Sequence, residues 1–432
     1  MNTIIQPGRL KGTIQIPPSK SMMQRYYAAA VLHRGTTIIR NVGRSEDDQV
    51  ALRLIQQMDA EVTNLSPNVL SIKSNGFVDV SGKLDCGESG LSCRLFTIIA
   101  ALSPHEVKIT GSGSLLRRSM QPFEEIFSQL GINMEGFNER LPIQIKGPLN
   151  PKSIEIDGGL SSQFLTALLI VYAFTAKESV SISAKGLVSK PYVDLTLNIL
   201  SRYGKYIANE RYQRFIIDPQ QFEQIDLVAA TVEGDWSSAA AWIAAGALNG
   251  DITLKGLDPE STQADRRILE VLIETGVYHE WRDGSLIVRS GPEQPDSFKF
   301  GATDCPDLFP VLSIYASLCK GESHITGLDR LYEKESNRAA SIQSMLRSFE
   351  VTHESRGNTL VITGRSRLVG GAVDSHQDHR IAMAATVGGL NANGDTLILG
   401  SEAVGKSYRD FFKDLSALGG IHHQSSEQTI TS

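Results

Sequence analysis

One pattern recurs six times along this chain of 432 residues, and it restricts the folds open to it. A short alternating strand leads through a polar turn into an apolar helix. A Gly/charged turn and a second alternating strand ending at Gly follow, then a more polar helix and one or two further strands. The glycines that close the second strands are Gly43, Gly111, Gly186, Gly256, Gly327 and Gly400. Their spacing of roughly 70 residues is longer than an ordinary solenoid period and marks a repeated supersecondary unit. The segments agree: Gly35-Thr36-Thr37-Ile38-Ile39-Arg40 is answered by Gly250-Asp251-Ile252-Thr253-Leu254-Lys255 and by Gly394-Asp395-Thr396-Leu397-Ile398-Leu399. Helical runs such as Ser237–Ala245 are apolar nearly all round, which predicts burial beneath more amphipathic helices and a sheet. Each unit reads as a βαβαββ module. A chain this long is expected to form two domains, so three modules make each domain and the fold class is mixed, α+β (α/β).

Composition narrows the function classes. Hydrophobic residues make up 41% and charged residues 21%, ordinary for a soluble globular protein. The net charge of -6 argues against a nucleic-acid partner, which usually meets a basic surface. No segment reaches the roughly 18 consecutive apolar residues of a membrane span. Residues Met1–Pro7 show no basic region and no long apolar run, so no secretory leader is expected and the location predicted is the cytoplasm. Cys86, Cys93, Cys305 and Cys319 form no CxxC pair or framework spacing and read as reduced thiols. The histidines near them are not at ligand spacing, so no metal site is expected.

Polar residues gather where helices should begin. The first helices of the modules open at Ser19-Lys20-Ser21, Glu88-Ser89-Gly90, Ser161-Ser162-Gln163, Asp235-Trp236-Ser237-Ser238, Asp307 and Asp378-His379-Arg380. The second helices are expected to open near Arg117-Arg118, Ser189-Lys190, Arg266-Arg267, Lys334-Glu335 and Gly405-Lys406-Ser407. Ser and Asp there serve as N-caps. Cations there are unfavourable by a few tenths to about 1 kcal/mol, and Lys20, Arg118, Lys334, His379, Arg380 and Lys406 are all expected to bear that cost. Repeated conflict of this kind points to function. Helix N-termini and cations together suit a ligand with several negative charges, such as phosphate plus carboxylate. Asp307 and Glu335 are the carboxylates among these cations and the candidates for general acid/base work. One motif misleads. Gly400–Ser407 fits the P-loop pattern GxxxxGK[ST] after a strand, but only some 25 residues follow it, too few for the rest of a P-loop domain, and the sixfold repeat already accounts for the strand and turn.

Several runs resemble the 3-phosphoshikimate 1-carboxyvinyltransferase (EPSP synthase) family of enolpyruvyl transferases. They are Pro17-Pro18-Ser19-Lys20-Ser21 with Arg25, Asp157-Gly158 through Ser161-Ser162-Gln163 to Leu169, and Leu187-Val188-Ser189-Lys190-Pro191-Tyr192. Val232-Glu233-Gly234-Asp235, Lys334-Glu335-Ser336 with Arg338, Asp378–Met383 and Lys406 continue the match in order across nearly the whole chain. The resemblance implies the enolpyruvyl transferase fold: two domains of three βαβαββ modules, helices buried and sheets facing solvent, with the active site in the interdomain cleft. Residues 15–232 would form the N-terminal domain, and residues 1–14 with 233–432 the C-terminal one, joined by crossovers near 14–18 and 230–234.

The resemblance also implies the reaction: enolpyruvyl transfer from phosphoenolpyruvate to the 5-hydroxyl of shikimate-3-phosphate, by addition then elimination of phosphate, in the shikimate pathway to chorismate and the aromatic amino acids. No cofactor and no metal are implied, and the protein is expected to act as a monomer on small molecules alone. Lys20, Ser21, Arg25, Ser161, Ser162, Gln163, Ser189, Tyr192, Asp307 and Lys334 correspond to contacts of shikimate-3-phosphate. Lys20, Gly90, Arg118, Gln163, Arg338, Arg380 and Lys406 correspond to contacts of phosphoenolpyruvate. Asp307 is the expected base at the 5-hydroxyl; Glu335 and Lys20 would move the proton at C3, supported by Lys406 and His379.

The chain departs from the family pattern in places. Glu88 stands where Asn is usual, Leu91 for Thr, Leu95 for Pro, Arg330 for an Asn and Asn337 for an Asp. A carboxylate at position 88 beside an anionic substrate must point away, pair with a cation or be protonated. Altered phosphoenolpyruvate affinity and altered sensitivity to the competitor glyphosate are expected; an inhibition curve matching that of a family member with Asn and Thr at these positions would refute this. The alternative reading is the sister enzyme acting on UDP-N-acetylglucosamine, which usually carries a reactive Cys in the loop that here runs from Gly111 to Pro122 and has none. A P-loop nucleotide triphosphatase and a non-catalytic anion-binding protein are the rivals from other classes.

Overall fold

The computed structural model describes residues 1–425 apart from 77, 138, 292 and 293. Among the described residues there are six four-stranded sheets and one two-stranded pairing. The segment from residue 82 to 146 shows the module in continuous form. Strand Gly82–Asp85 leads into helix Gly90–Ala100, strand Glu106–Thr110, helix Gln121–Leu130 and the hairpin Asn133–Phe137 and Arg140–Lys146. The first two strands pair in parallel, as a helical crossover requires. The hairpin's last strand then pairs antiparallel with Glu106–Thr110. The segments from Ile154 and from Lys299 repeat this order.

Three sheets are completed by strands from far along the chain. Leu227–Thr231 pairs in parallel with Gly35–Arg40, supplying the first strand of the module that begins at Lys20. Leu10–Gln15 does the same beside Gly250–Lys255. Asn2–Ile5 lies between Thr396–Leu399 and His422–Ser425, filling the fourth-strand position of the last module. The glycines that close the repeat follow the second strand of each module, as expected from the sequence.

The chain divides into two compact units: residues 1–17 with the chain from Glu233 onward, and Pro18–Val232. Ile16 and Pro17 belong with the first unit because the Ile16 N–H donates to the Lys255 carbonyl at 3.0 Å and the Pro17 carbonyl accepts the Asp235 N–H at 2.8 Å. The boundary therefore falls three residues later than residue 14.

Each unit buries its three apolar helices against one another. In Pro18–Val232 these are Lys20–Leu32, Gly90–Ala100 and Ser162–Thr175; in the other unit they are Trp236–Asn249, Phe309–Ala316 and His379–Leu390. Nearly every side chain on them is buried. The second helices, such as Gln121–Leu130 and Glu46–Gln57, bury one stripe only, and the strands alternate buried and exposed residues. Central helices can be apolar all round because amphipathic helices and sheet faces wrap them on every side.

Several second-helix starts differ from expectation. Arg118 follows a 3-10 turn, Gly113–Arg117, and the helix begins only at Gln121. Lys334 and Glu335 precede a helix that starts at Arg338. Lys406 ends a 3-10 turn, Ser401–Lys406, and the next helix is Phe411–Ala417. Single turns carry no 3.6-residue periodicity, so the sequence does not reveal them. Of the six cations expected to bear the helix-dipole cost, only Lys20, His379 and Arg380 stand at the openings of helices. The same geometry removes the P-loop reading. Lys406 sits at the wrong end of its turn, and the N–H groups of Ala403, Ser407 and Tyr408 donate to Gly400 and Val404 carbonyls rather than standing open to a phosphate.

Candidate active site

In the unit Pro18–Val232 the openings of the helices are tied together by buried polar side chains. Arg25, in the second turn of Lys20–Leu32, is 1% exposed. Its Nε donates to Thr196 Oγ1 at 2.9 Å, Nη1 to the Ser21 carbonyl at 2.8 Å and Nη2 to the Tyr192 carbonyl at 3.3 Å. The guanidinium also lies 5.9 Å from the centre of the Tyr192 ring. Thr196 bonds Thr166 in turn, at 3.1 Å, so Ser21, Tyr192 and the helix that Ser161 caps are drawn to one end of the bundle. Ser161 Oγ accepts the Gln163 N–H at 3.2 Å, and Ser162 is buried. Ser189 occupies the position before Lys190–Arg202 in a left-handed conformation, φ +56°. A non-glycine residue there costs of order 1–3 kcal/mol, the kind of strain that collects at functional sites.

The Gly90 end belongs to the same cluster. Gln24 Oε1 accepts the Ser89 and Ser92 hydroxyls at 3.3 and 3.0 Å, joining the first helix to Gly90–Ala100. Arg94 Nη1 donates to the Gly90 carbonyl at 3.2 Å, and its guanidinium lies over Phe164. Arg118 packs directly on Gly90: a Cβ there would fall against Arg118 Nη1. Only glycine lets this side chain lie so close. Glu88 turns to the 113–114 turn, where its carboxylate accepts the Ser114 hydroxyl at 3.3 Å and fills the space over Gly113. Lys20 meets Asp47 at 3.0 Å, and both side chains are largely buried. This pair offsets the dipole cost at position 20.

Arg25 carries the clearest electrostatic message. Among the described residues its hydrogen-bond acceptors are a hydroxyl and two carbonyls, and none is a carboxylate. Burial lowers its pKa only to about 10, so it stays charged near neutral pH. A buried cation held by neutral acceptors alone is costly unless an anion joins it.

In the other unit the organising group is Arg338, at the opening of its helix and fully buried. Its Nη1 meets Asp307 Oδ1 at 2.8 Å, its Nη2 meets Glu335 Oε2 at 2.5 Å, and its Nε meets Asp378 Oδ2 at 2.8 Å. Asp378 also caps His379–Leu390 by accepting the Arg380 N–H at 2.9 Å, and it accepts the Ser336 hydroxyl at 3.2 Å. Arg380 Nη2 approaches Asp307 Oδ2 at 3.6 Å, and its buried Nε and Nη1 have no hydrogen-bond partner among the described residues. His379 Nδ1 lies 3.8 Å from Asp378 Oδ1. Burial pushes the Asp307 carboxyl up, but Arg338, Arg380 and Lys334 outweigh it and hold the group well below the usual carboxylate range. Burial lowers Lys334 to about 8, with Asp307 opposing the shift. Lys406 is 6% exposed on its 3-10 turn, which packs against His379–Leu390.

The structure thus groups Lys20, Ser21, Arg25, Gly90, Arg118, Ser161, Ser162, Gln163, Ser189 and Tyr192 in one unit. It groups Asp307, Lys334, Glu335, Arg338, His379, Arg380 and Lys406 in the other. Sequence reasoning read Asp378 as a helix cap but missed its pairing with Arg338, and it missed Asp47 and Thr196. It also missed Asp265, 1% exposed, which accepts the Ser237 hydroxyl and is pushed up to about 7 by burial and then by the charge of Asp307. An Asp before two arginines, as in Asp265-Arg266-Arg267, is the only local signal of it. Among the described residues no group of three or more His, Cys, Asp or Glu side chains could hold a metal ion.

This architecture is that of the enolpyruvyl transferases. A solved EPSP synthase from Acinetobacter baumannii superposes with a TM-score of 0.80 at 23% identity, covering 98% of this chain and 100% of that one. The enolpyruvyl transferase NikO from Streptomyces tendae gives a TM-score of 0.76 at 15% identity, covering 98% of each chain. The family model for EPSP synthase (3-phosphoshikimate 1-carboxyvinyltransferase) matches residues 4–415, and the chain belongs to that family. Curated relatives agree. The 3-phosphoshikimate 1-carboxyvinyltransferase of Clostridium novyi is 33% identical over 429 residues, 97% of this chain and 98% of the relative. That of Clostridium acetobutylicum is 34% identical over 431 residues, 98% of this chain and 99% of the relative.

Proposed function

We infer that the protein catalyses the reaction of its family: the enolpyruvyl group of phosphoenolpyruvate passes to the 5-hydroxyl of shikimate-3-phosphate, releasing phosphate. The observation that carries the assignment of the site is Arg25, a buried guanidinium with only neutral partners, at the end of a helix bundle where Ser21, Ser161, Ser162, Ser189 and Tyr192 gather. A phosphate dianion supplies the missing counter-charge, so this end takes the phosphate and ring hydroxyls of shikimate-3-phosphate. Lys20 and Arg118 beside Gly90, with Gln163, take phosphoenolpyruvate together with Arg380 and Lys406.

Chemistry follows from charge. Asp307 is ionised at any working pH but is a weak base while Arg338, Arg380 and Lys334 face it. An anionic ligand on Arg380 and Lys334 offsets those cations, so Asp307 gains proton affinity when both substrates are bound. It then accepts the 5-hydroxyl proton as oxygen attacks C2, while the pair Glu335 and Lys20, supported by His379 and Lys406, delivers a proton to C3; in the elimination the same pair takes a proton back from C3 as the C2–O bond to phosphate breaks and the double bond re-forms. The clustered cations stabilise the carboxylate and the departing phosphate. Arg338, with Nε, Nη1 and Nη2 all on carboxylates, first orients Asp307 and Glu335, and its contact to phosphoenolpyruvate requires it to share those donors. The reading in which the acceptor is a UDP-amino sugar is not favoured by the family match. The protein acts as a cytoplasmic monomer in this reading; among the described residues no helix is long and apolar enough to cross a membrane.

Phosphate release from phosphoenolpyruvate is the test: it should depend strictly on shikimate-3-phosphate, and release without it, or with a UDP-amino sugar instead, would overturn the assignment. Lys334 adds a pH signature. Its folded pKa is lowered to about 8, so the cation facing the shikimate ligand is present below that pH and lost above it. The KM for shikimate-3-phosphate should therefore rise as pH passes from 7 to about 9.5, and Lys334→Arg, which stays charged, should flatten the rise. Equal profiles for the two proteins would remove Lys334 from the binding site.

A further inference from the structure

The strand Asn2–Ile5 does more than complete the last sheet. Thr3 is 1% exposed, and its hydroxyl lies 2.8 Å from Ser401 Oγ, which is also buried. Ser401 Oγ donates to the Met1 carbonyl at 3.2 Å, so the Thr3 hydroxyl is the donor to Ser401. The same Met1 carbonyl accepts the Ser401 N–H at 3.0 Å. The Asn2 side-chain oxygen accepts the Gly400 N–H at 3.2 Å. Gly400 and Ser401 open the 3-10 turn that ends in Lys406.

The entry of this turn is held from a second side. Ser375 Oγ donates to the Gly400 carbonyl at 2.9 Å. Gly400 has φ +66°, and a Cβ there would come within 2.8 Å of Ser375 Oγ and 2.7 Å of Gln377 Nε2. Ser375 lies three residues before Asp378, the cap of the helix that carries Arg380. Beyond the turn, Tyr408 accepts the Trp242 indole N–H at 3.2 Å and donates to Asp414 at 2.6 Å. The backbone under Lys406 is thus fixed at both ends, and most of the hydrogen bonds at its entry come from the far end of the chain.

We propose that Asn2 and Thr3 are positioning residues for Lys406: their side chains fix the entry of its turn and so aim its ammonium at the phosphoenolpyruvate anion. The proposal rests on the reading of Lys406 as a contact of that substrate. A lysine has a long flexible stem, so a fixed backbone is what limits its reach. The variants keep the lysine itself, so a loosened turn should weaken binding rather than abolish it.

The test is steady-state kinetics on Thr3→Val, which keeps the side-chain shape and removes the hydroxyl. The KM for phosphoenolpyruvate should rise about fivefold, the equivalent of one neutral hydrogen bond, with kcat and the KM for shikimate-3-phosphate little changed. Ser401→Ala should give the same split. Ile5→Val, in the same strand and fully buried, should lower the melting temperature without moving either KM. Unchanged KM for phosphoenolpyruvate in both Thr3→Val and Ser401→Ala, or an equal rise in Ile5→Val, would overturn the proposal while leaving the enzymatic assignment intact. A wild-type protein with no shikimate-3-phosphate-dependent phosphate release would overturn both.

Discussion

Replacing Asp307 with Asn is expected to lower kcat by about three orders of magnitude, the middle of the range for a general base, while shikimate-3-phosphate still binds. The argument is geometric. Asp307 stands between Arg338 at 2.8 Å and Arg380 at 3.6 Å. The amide oxygen of Asn can still accept from Arg338, so the cluster keeps its shape and the loss falls on proton acceptance. Single-turnover rates and calorimetric titration of shikimate-3-phosphate separate the two effects. A variant within tenfold of wild-type kcat would assign the base elsewhere.

Arg338→Met should be the most damaging change to stability. It leaves Asp307, Glu335 and Asp378 facing one another without their shared cation. Breaking a buried ion pair in this way costs about 3–5 kcal/mol. The loss should depend on pH with a definite sign. In the wild type the Asp307 pKa is depressed, so its contribution is present above the unfolded carboxylate pKa and is lost as pH falls through the folded value. In the variant the uncompensated carboxylates gain from protonation, so acid relieves them. The stability gap measured by urea unfolding should be widest near pH 7 and narrow towards pH 4. A gap that is constant with pH would mean that the carboxylates are not held by Arg338.

The modules were legible because burial leaves marks in the sequence. A helix enclosed on all sides must be apolar all round, as Ser162–Thr175 and Trp236–Asn249 are, and the glycine after each second strand recurs at a fixed interval. The strand exchanges were not legible from local pattern. Leu10–Gln15 pairs with Gly250–Lys255 and Leu227–Thr231 with Gly35–Arg40, and nothing within either segment specifies a partner so far away. That information came only through resemblance to a family. The site was legible as residue types: Lys20, Arg118, Arg380 and Lys406 were chosen as cations out of place near helix starts. Their local geometry was not, since Arg118 follows a 3-10 turn and Lys406 ends one, where position 406 costs nothing to the dipole. Arg338 shows the limit most clearly. Sequence marks it as one more ligand for an anion, whereas its acceptors come from positions 307, 335 and 378, brought together only by folding.

A structure of the protein with shikimate-3-phosphate and an unreactive phosphoenolpyruvate analogue bound together tests the whole account most directly. The account predicts Arg25 and Ser161 on the shikimate phosphate side, with Lys20, Arg118, Arg380 and Lys406 all within hydrogen-bond reach of the analogue's carboxylate or phosphate. An analogue bound by cations of one unit alone, with those of the other unit turned away from it, would contradict it.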